Sequence, residues 1–309
     1  MIAGAIDIGG TKISVGLVDD TGRLLGNCVM PTSAGLGLPN AIRRIADALR
    51  SLAEANNAHL NGIGIGCTGP VNPHTGELAL NSFLPGWEGL GLKQELEQAF
   101  HLPVAIENDA DAAALAEGYW GTGKGCHCFI YVTISTGIGG GILLDGSLYR
   151  GAAGAHPEIG HHLVDPSGPA CFCGVHGCWE SMASGMALAR WYRGHSQLLP
   201  DGQIQAVDLD ARQISVLAEA GDALARTAMA RAGSYIGIGL ANLVTLFMPD
   251  RIALGGGMVN SWPVFEPIVR ETVRQNCGLV PYQRTIIAPA ALGIDTGLLG
   301  AARVWFQRV

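Results

Sequence analysis

Asp7-Ile8-Gly9-Gly10-Thr11-Lys12 is the stretch from which the fold can be predicted. Apolar runs lie on both sides of it, so we expect strands over Ala3 to Asp7 and Lys12 to Val18, joined by the glycine turn. Consecutive N–H groups of such a turn can converge on phosphate oxygens, because no Cβ blocks their approach. Asp7 could hold a hydrated Mg²⁺ ion beside that anion, and Lys12 adds a positive charge. A plain hairpin turn is the alternative interpretation.

The same strand, glycine turn, strand pattern recurs in the second half of the chain. Strands are predicted over Phe129 to Thr133 and Gly139 to Leu144, with the turn at Ser135-Thr136-Gly137. This weak internal repeat predicts two related lobes, each presenting backbone N–H groups to a cleft. A third turn, Gly255-Gly256-Gly257, follows a predicted strand at a place where a nucleotide base or ribose could lie. The P-loop pattern GxxxxGK[ST] does not accompany these turns.

Composition narrows the class of protein. The chain has 309 residues, 48% of them apolar, which suits two lobes with substantial cores, and its 45 glycines are about twice the usual share. A net charge of −7 with no basic run argues against nucleic-acid and membrane-surface binding. The sequence shows no signal peptide and no predicted transmembrane span, so we expect a cytoplasmic protein. Its eight cysteines are therefore expected to be thiols or metal ligands.

A cluster of cysteines predicts a metal site. Cys171, Cys173 and Cys178 fall within eight residues, and His161 lies ten residues upstream. Three cysteines and one histidine form the closed tetrahedral shell of a structural zinc ion. His162 and His176 are rival ligands on spacing alone. The separate sequence Cys126-His127-Cys128 leads into a predicted strand and is interpreted as core packing.

One carboxylate is placed to act as a general base. Asp109 ends the segment Glu107-Asn108-Asp109, at the point where a predicted strand meets a helix over Asp109 to Tyr119. A helix N-terminus favours an ionised carboxylate, which can accept a proton from an attacking hydroxyl. An ordinary N-cap is the alternative. Asn108, Glu158 and Glu180 are candidate partners for sugar hydroxyls, since such side chains donate to or accept from polyols.

These motifs together resemble the ROK family of bacterial sugar kinases, within the actin-like ATPase superfamily, over essentially the whole chain. Asp7 to Lys12 looks like the first phosphate motif of the family, Thr133 to Gly141 like the second, and Leu254 to Gly257 like the adenosine motif. Glu158-Ile159-Gly160-His161 and the cysteine cluster resemble its zinc signature, which selects His161 over His162.

The resemblance implies a role for each matching residue. Asp109 becomes the general base. The implied sugar contacts are Gly69, Asn108, Asp109, Glu158, His161 and Glu180. The implied ATP and Mg²⁺ contacts are Asp7, Gly9, Gly10, Thr11, Lys12, Thr133, Ser135, Thr136, Gly137, Gly255 and Gly256. The implied zinc ligands are His161, Cys171, Cys173 and Cys178.

The resemblance also implies an architecture. We expect an α/β protein with the two-lobed, actin-like (ribonuclease H-like) ATPase fold and a zinc-bound loop insertion. Residues 1–120 would form the small lobe, with a C-terminal helix over 295–309 packing back on it, and residues 121–294 the large lobe. ATP, transient Mg²⁺ and structural Zn²⁺ would be the cofactors, and a homodimer or homotetramer the assembly.

The expected reaction is ATP-dependent phosphorylation of a hexose at its C6 hydroxyl. Leu84-Pro85-Gly86-Trp87 looks like the glucokinase members and favours glucose. His156-Pro157-Glu158 departs from the expected Ala-Gly-Glu and resembles fructokinase-type members, and N-acetylmannosamine and N-acetylglucosamine kinases share most motifs. With only six residues before Asp7, we expect no DNA-binding domain of the kind that the family's repressors carry. A non-catalytic sugar-responsive protein and an ATPase with a protein client are rivals of other classes.

Overall fold

The computed structural model describes residues 1–79, 83–196 and 208–308. They form two compact units. The first unit contains Met1–Cys126, Gly141–Pro157 and Ala291–Val309, and the second contains His127–Gly140 and Glu158–Ala290. Within the described residues no helix combines the length and apolar character that crossing a membrane requires.

The regular elements are numbered along the chain. The strands are β1 (Ile2–Ile8), β2 (Lys12–Asp19), β3 (Leu24–Pro31), β4 (Gly62–Cys67), β5 (Val104–Asn108), β6 (Cys128–Ile134), β7 (Ile138–Leu144), β8 (Ser147–Leu148), β9 (Arg251–Gly255) and β10 (Ile286–Pro289). The helices are α1 (Leu38–Ala55), α2 (Leu92–Phe100), α3 (Asp109–Tyr119), α4 (Trp179–Ala183), α5 (Gly185–Ser196), α6 (Ala211–Glu219), α7 (Ala223–Phe247), α8 (Trp262–Asn276) and α9 (Thr296–Phe306).

The sheet of the first unit has the strand order β3-β2-β1-β4-β5. Strands β1, β2 and β3 are antiparallel neighbours, whereas β1, β4 and β5 run parallel. Ile8 is in register with Cys67, and Cys67 with Asn108. The carboxyl ends of three parallel strands therefore meet at one edge of the sheet, which is where α/β proteins place ligand-binding residues.

The second sheet has the order β10-β9-β6-β7-β8. Read from β8, it repeats the order of the first sheet strand for strand, so β6 corresponds to β1 and β9 to β4. Thr133 stands at the same place in β6 as Asp7 does in β1, one residue before the strand ends. The internal repeat predicted from the two glycine turns therefore corresponds to two sheets of the same topology.

The core of the first unit forms between its sheet and helices α1 and α9. One face of α1 is buried, with Ile42, Ile45 and Leu49 at helical spacing, as its apolar pattern predicts. Helix α9 packs so closely on β4 that a Cβ at Gly64 would overlap the Ala301 carbonyl. Glycines in β4 thus allow a helix to lie directly on the strand backbone.

The helical region of the second unit is divided into α6 and α7 between Glu219 and Ala223. Gly221 takes the left-handed conformation with φ +103° and ends the turn after α6. Asp222 then caps α7 by accepting a hydrogen bond from the Ala225 N–H at 2.7 Å. The turn at Gly221 and the cap at Asp222 therefore end one helix and begin the next.

The compact units and the predicted lobes differ over Gly141–Pro157, and by a few boundary residues at 121–126 and 291–294. The prediction placed all of 121–294 in one lobe, but Gly141–Pro157 groups with the first unit. The physical reason is local packing, because Gly141 in β7 lies against the side chain of Ala114 in α3, where a Cβ would not fit.

Candidate active site

Asp109 is the first residue of α3, directly after the end of β5. The side chain that caps the helix is that of its neighbour: Asn108 Oδ1 accepts from the N–H groups of Ala110 at 2.9 Å and Asp111 at 3.3 Å. The alternative interpretation of Asp109 as the N-cap is therefore wrong. Its carboxylate accepts a hydrogen bond from the Ala110 N–H at 2.8 Å, and the residue is half-buried at the edge of the sheet.

The proton affinity of Asp109 is set by opposing effects. Burial is the largest and raises the pKa of its carboxyl, while the Ala110 N–H, the charge of His156 and the hydroxyl of Thr68 lower that pKa. Asp111 raises it again by repulsion. The helix N-terminus alone would keep this group ionised near neutral pH, but burial outweighs that effect. A raised pKa makes the carboxylate a stronger base.

Two of the predicted sugar contacts meet beside Asp109. The Asn108 amide donates a hydrogen bond to the Gly69 carbonyl at 3.2 Å. Gly69 has φ +86°, a conformation that favours glycine, and follows the end of β4. The sheet register thus brings Asn108, Asp109 and Gly69 together at one edge.

The first glycine turn is fixed by hydrogen bonds within the first unit. The Gly9 N–H donates to the Lys12 carbonyl at 2.9 Å, and the Thr32 hydroxyl donates to the Gly9 carbonyl at 2.6 Å. Asp7 precedes the turn in β1. Burial and the charge of Asp109 raise the pKa of Asp7 to about 6, against the opposing effect of Lys12. A cation here would relieve the repulsion between the two carboxylates.

The N-terminal turn of α9 lies against Asp7. A Cβ at Gly297 would stand 2.7 Å from Asp7 Cγ and overlap Oδ2. We expect Gly297→Ala to displace the Asp7 carboxylate and to raise the KM for Mg-ATP by about 10-fold, as steady-state kinetics would measure. Gly194→Ala is the matched control, because nothing lies within 4 Å of a Cβ there and the residue is also helical. Unchanged nucleotide kinetics in Gly297→Ala would show that the position of Asp7 does not matter.

Backbone hydrogen bonds fix the second glycine turn, and one of them comes from the first residue of α5. The Ser135 N–H donates to the Gly137 carbonyl at 2.8 Å, and the Gly185 N–H donates to the Ser135 carbonyl at 2.7 Å. The side chains of Ser135 and Thr136 are exposed. Thr133 is in register with Gly255 of β9, so the second and third glycine turns leave the sheet side by side.

Glycine is required in the third turn by close packing. A Cβ at Gly255 would overlap the Tyr131 hydroxyl. Gly256 has φ +87°, and a Cβ there would lie 2.7 Å from the carbonyl carbon of Ile134. The turn therefore packs closely against β6, and only glycine fits at these two positions.

Glu180, in the first turn of α4, connects the second glycine turn to the region of the cysteine cluster. Its Oε2 accepts from the Ile138 N–H at 2.9 Å and lies so close to Gly137 that a side chain would not fit there. Burial raises the pKa of Glu180, and the charges of His161 and Glu158 act on it in opposite directions. The three predicted sugar contacts of the second unit are thus neighbours.

The cysteine cluster brings together the four side chains that the family resemblance selects. One potential ligand atom from each of His161, Cys171, Cys173 and Cys178 lies within 4.8 Å of all the others. The Cys171 Sγ to His161 Nδ1 distance is 3.6 Å, and the Cys173 Sγ to Cys178 Sγ distance is 3.4 Å. A tetrahedral zinc ion with Zn–S bonds of about 2.3 Å separates its ligand atoms by about 3.8 Å, so the donor set fits zinc in both kind and spacing.

The two rival histidines have other contacts. His162 Nδ1 lies 2.6 Å from the Ile159 carbonyl oxygen, and its ring packs on Trp179 at 5.3 Å. His176 is exposed, with Nδ1 3.4 Å from the Gly168 carbonyl oxygen. Neither belongs to the cluster of four.

Sequence reasoning missed a group of charges around the start of α3. Arg150 forms ion pairs with both Glu107 and Asp111, and His156 Nδ1 lies 2.7 Å from Asp111 Oδ2. The Asp111 side chain is 0% exposed. No local pattern in the sequence marks Asp111 or Arg150 as members of such a group.

Comparisons with known proteins give one consistent result. A family model described as the ROK family matches residues 3–308. The glucokinase of Streptomyces coelicolor is 36% identical over 310 residues, covering 96% of this chain and 95% of that protein. The ROK hexokinase of Thermus thermophilus has a TM-score of 0.84 and 35% identity, covering 100% of this chain and 99% of that one. The ROK family glucokinase of Streptomyces griseus, in complex with glucose and AMPPNP, has a TM-score of 0.82 and 32% identity, with 98% of each chain covered.

Proposed function

We propose, since this chain belongs to the ROK family, that it transfers the γ-phosphate of ATP to the C6 hydroxyl of glucose. The observation that carries the proposal is full-length similarity to glucokinases, one of them bound to glucose and an ATP analogue. The predicted α/β, actin-like fold is confirmed by the same comparisons. A hexose kinase is an enzyme that must hold ATP, position a hydroxyl and remove its proton.

The first unit supplies the base in this proposal. The C6 oxygen attacks the γ-phosphorus, its proton passes to the Asp109 carboxylate, and the bond from the γ-phosphorus to the bridging oxygen breaks to release ADP. Asn108 and the Gly69 segment bind neighbouring sugar hydroxyls. The raised pKa of Asp109 supports this assignment, because burial leaves a carboxylate with a greater affinity for the proton.

Asp7 is the residue that would hold Mg²⁺, directly or through water. The fit rests on its position before the glycine turn and on the repulsion from Asp109 that a cation would relieve. The bound ion would neutralise phosphate charge during transfer. Backbone N–H groups of Gly9 and Gly10, with Thr11 and Lys12, would bind phosphate oxygens.

The second unit supplies further nucleotide and sugar contacts. Thr133 and the turn Ser135-Thr136-Gly137 would bind phosphate oxygens, and the backbone at Gly255-Gly256 would accept the adenosine. Glu158, His161 and Glu180 would bind sugar hydroxyls, and their proximity supports a common ligand.

The cluster of His161, Cys171, Cys173 and Cys178 would hold a structural zinc ion. Four protein ligands leave no open position, so the ion would take no part in the chemistry. It would fix the loop that carries His161 and leads into Glu180. Gly174 and Gly177, with φ +91° and +70°, let the chain wrap around such an ion.

Glu180→Gln tests the sugar contact. The amide oxygen of glutamine can still accept from the Ile138 N–H, but its NH₂ group cannot accept from a sugar hydroxyl. We expect the KM for glucose to rise about 10- to 100-fold, the value of one hydrogen bond to a charged group, with the KM for ATP nearly unchanged. Glu219→Gln, at an exposed position in α6, is the matched control. A glucose KM equal to that of the wild type would remove Glu180 from the sugar site.

The proposal is tested by measuring ADP formation from Mg-ATP against glucose, fructose, mannose, N-acetylmannosamine and N-acetylglucosamine. We expect the highest kcat/KM with glucose. Preference for another sugar of this panel would replace the substrate but keep the kinase. ATP binding without turnover on any sugar would favour a sugar-responsive binding protein instead.

We further propose that the protein acts in the cytoplasm on a small-molecule sugar, without nucleic-acid or membrane partners, as a homodimer or homotetramer. The acidic composition supports the absence of a nucleic-acid partner. The molar mass in solution, measured by light scattering, tests the assembly.

A further inference from the structure

The charges around the start of α3 form one connected group. Glu107, Asp111, Arg150 and His156 have side chains that are 15%, 0%, 22% and 15% exposed. Arg150 contacts both carboxylates, and His156 contacts Asp111 on the same oxygen as Arg150 does. Charges this far removed from water are stable only when they are paired, so the four side chains hold one another in place.

Two members of this group flank Asn108 and Asp109 in the sequence. Glu107 is the residue before Asn108, at the end of β5, and Asp111 lies two residues after Asp109, in the first turn of α3. The guanidinium of Arg150 therefore joins the strand and the helix on either side of Asn108 and Asp109. A planar guanidinium can bridge two carboxylates in a fixed geometry, which the point charge of a lysine cannot do.

We propose that Arg150 and His156 form a clamp that positions the Asp109 carboxylate for proton transfer and sets its charge environment. This inference rests on the proposed function, in which Asp109 is the base. In this proposal both are positioning residues. The clamp acts on Asp109 through Glu107 and Asp111.

His156 helps to orient the Asp111 carboxylate, a role that Arg150 alone cannot fill. Within the described residues Asp111 Oδ1 has no hydrogen-bond partner, so the orientation of this buried carboxylate depends on the contacts of Oδ2 with Arg150 and His156. Gly141 lies directly against Asp111, where a Cβ would stand 2.8 Å from Oδ1. Without His156, Arg150 would be the remaining contact of Oδ2 in the described part of the chain.

The charge of His156 also reaches Asp109. It lowers the pKa of the Asp109 carboxyl, whereas burial and Asp111 raise it. Asp7, Cys67, Asp111 and His156 interact electrostatically with Asp109. Lys12 acts on Asp7, and Glu107 and Arg150 act on each other next to Asp111. Removing the positive charge of His156 therefore raises the pKa of Asp109. Because the base must be ionised to act, the acid limb of the pH–activity profile then moves to higher pH.

The test compares four variants with the wild type by steady-state kinetics on glucose and ATP, from about pH 5 to about pH 9, with thermal unfolding of each. The variants are Arg150→Met, Arg150→Lys, His156→Ala and His156→Asn. Arg274→Met, which removes an exposed ion pair with Glu271 in α8, is the matched control.

Arg150→Met and Arg150→Lys are expected to lower kcat by about 10- to 100-fold, the usual cost of a lost supporting contact, with the KM for ATP within about 2-fold. Asparagine places an amide N–H where Nδ1 stands, so His156→Asn should keep the plateau kcat within about 3-fold while His156→Ala loses about 10-fold. Both histidine variants should move the acid limb of kcat/KM to higher pH. A purely structural role would not move that limb.

Folded Arg150 variants with wild-type kcat, or histidine variants with an unmoved acid limb, would overturn the clamp while leaving the kinase intact. Should Arg150→Met fail to fold, Arg150→Lys decides the same point, because it keeps the charge and loses the bridge. A wild-type protein inactive on all sugars would instead overturn the proposed function and this inference together.

Discussion

Asp109→Asn is expected to lower kcat for glucose phosphorylation by about 10²- to 10⁴-fold, the contribution of a positioned general base. Asparagine has the same shape and can still accept from the Ala110 N–H, but it cannot take the proton of the attacking hydroxyl. The KM for ATP should change little. Steady-state kinetics with glucose and Mg-ATP measure both quantities.

The stability of this variant separates a catalytic loss from a folding defect. The pKa of Asp109 is raised in the folded protein, so its ionised form opposes folding at pH values above that pKa. At neutral pH the neutral amide should therefore leave the melting temperature equal to or above that of the wild type. Asp47→Asn, at an exposed position in α1, is the matched control. Wild-type turnover in Asp109→Asn would exclude Asp109 as the base.

Cys173→Ser is expected to reduce bound zinc from about one ion per chain to nearly none, because a serine hydroxyl is a poor ligand for this ion. Without the ion, three cysteines and a histidine no longer fix the loop that leads into Glu180. We expect the KM for glucose to rise at least about 10-fold and the melting temperature to fall. Metal analysis by mass spectrometry, glucose kinetics and thermal unfolding measure the three effects.

Cys28→Ser is the control for the zinc experiment. Cys28 lies in β3 of the first unit, is not a member of the cluster, and is partly exposed. It should keep its metal and its glucose KM. Unchanged zinc content in Cys173→Ser would contradict the ligand assignment, and an absence of zinc from the wild-type protein would contradict the metal itself.

Much of the fold could be predicted because its signals are local. Two apolar runs joined by Gly9-Gly10 and two more joined by Ser135-Thr136-Gly137 predicted corresponding strands, and the structure has two sheets of the same topology. The helix over Asp109 to Tyr119 was predicted with the bounds that the structure gives. Cysteine spacing likewise predicted the cluster of three thiols, and the family resemblance selected His161, which lies near them.

What could not be predicted depends on residues far apart in the sequence. Arg150 meets Glu107 and Asp111 only after the sheet has formed, 43 and 39 residues away along the chain. In the sequence Gly297 resembles an ordinary turn or helix glycine, and its contact with Asp7 depends on the packing of α9. The raised pKa of Asp109 depends on burial by the whole unit, whereas sequence offers only the local effect of the helix N-terminus.

In the proposed reaction the γ-phosphate of ATP moves onto the C6 oxygen of glucose, with Asp109 as the base. The most direct test is ³¹P NMR of the products that wild-type protein and Asp109→Asn form from Mg-ATP and glucose. We expect one glucose 6-phosphate for each ADP with the wild type, and at most about a hundredth of either product in the same time with the variant. ADP accompanied by free phosphate, or phosphate on a different sugar oxygen, would contradict it.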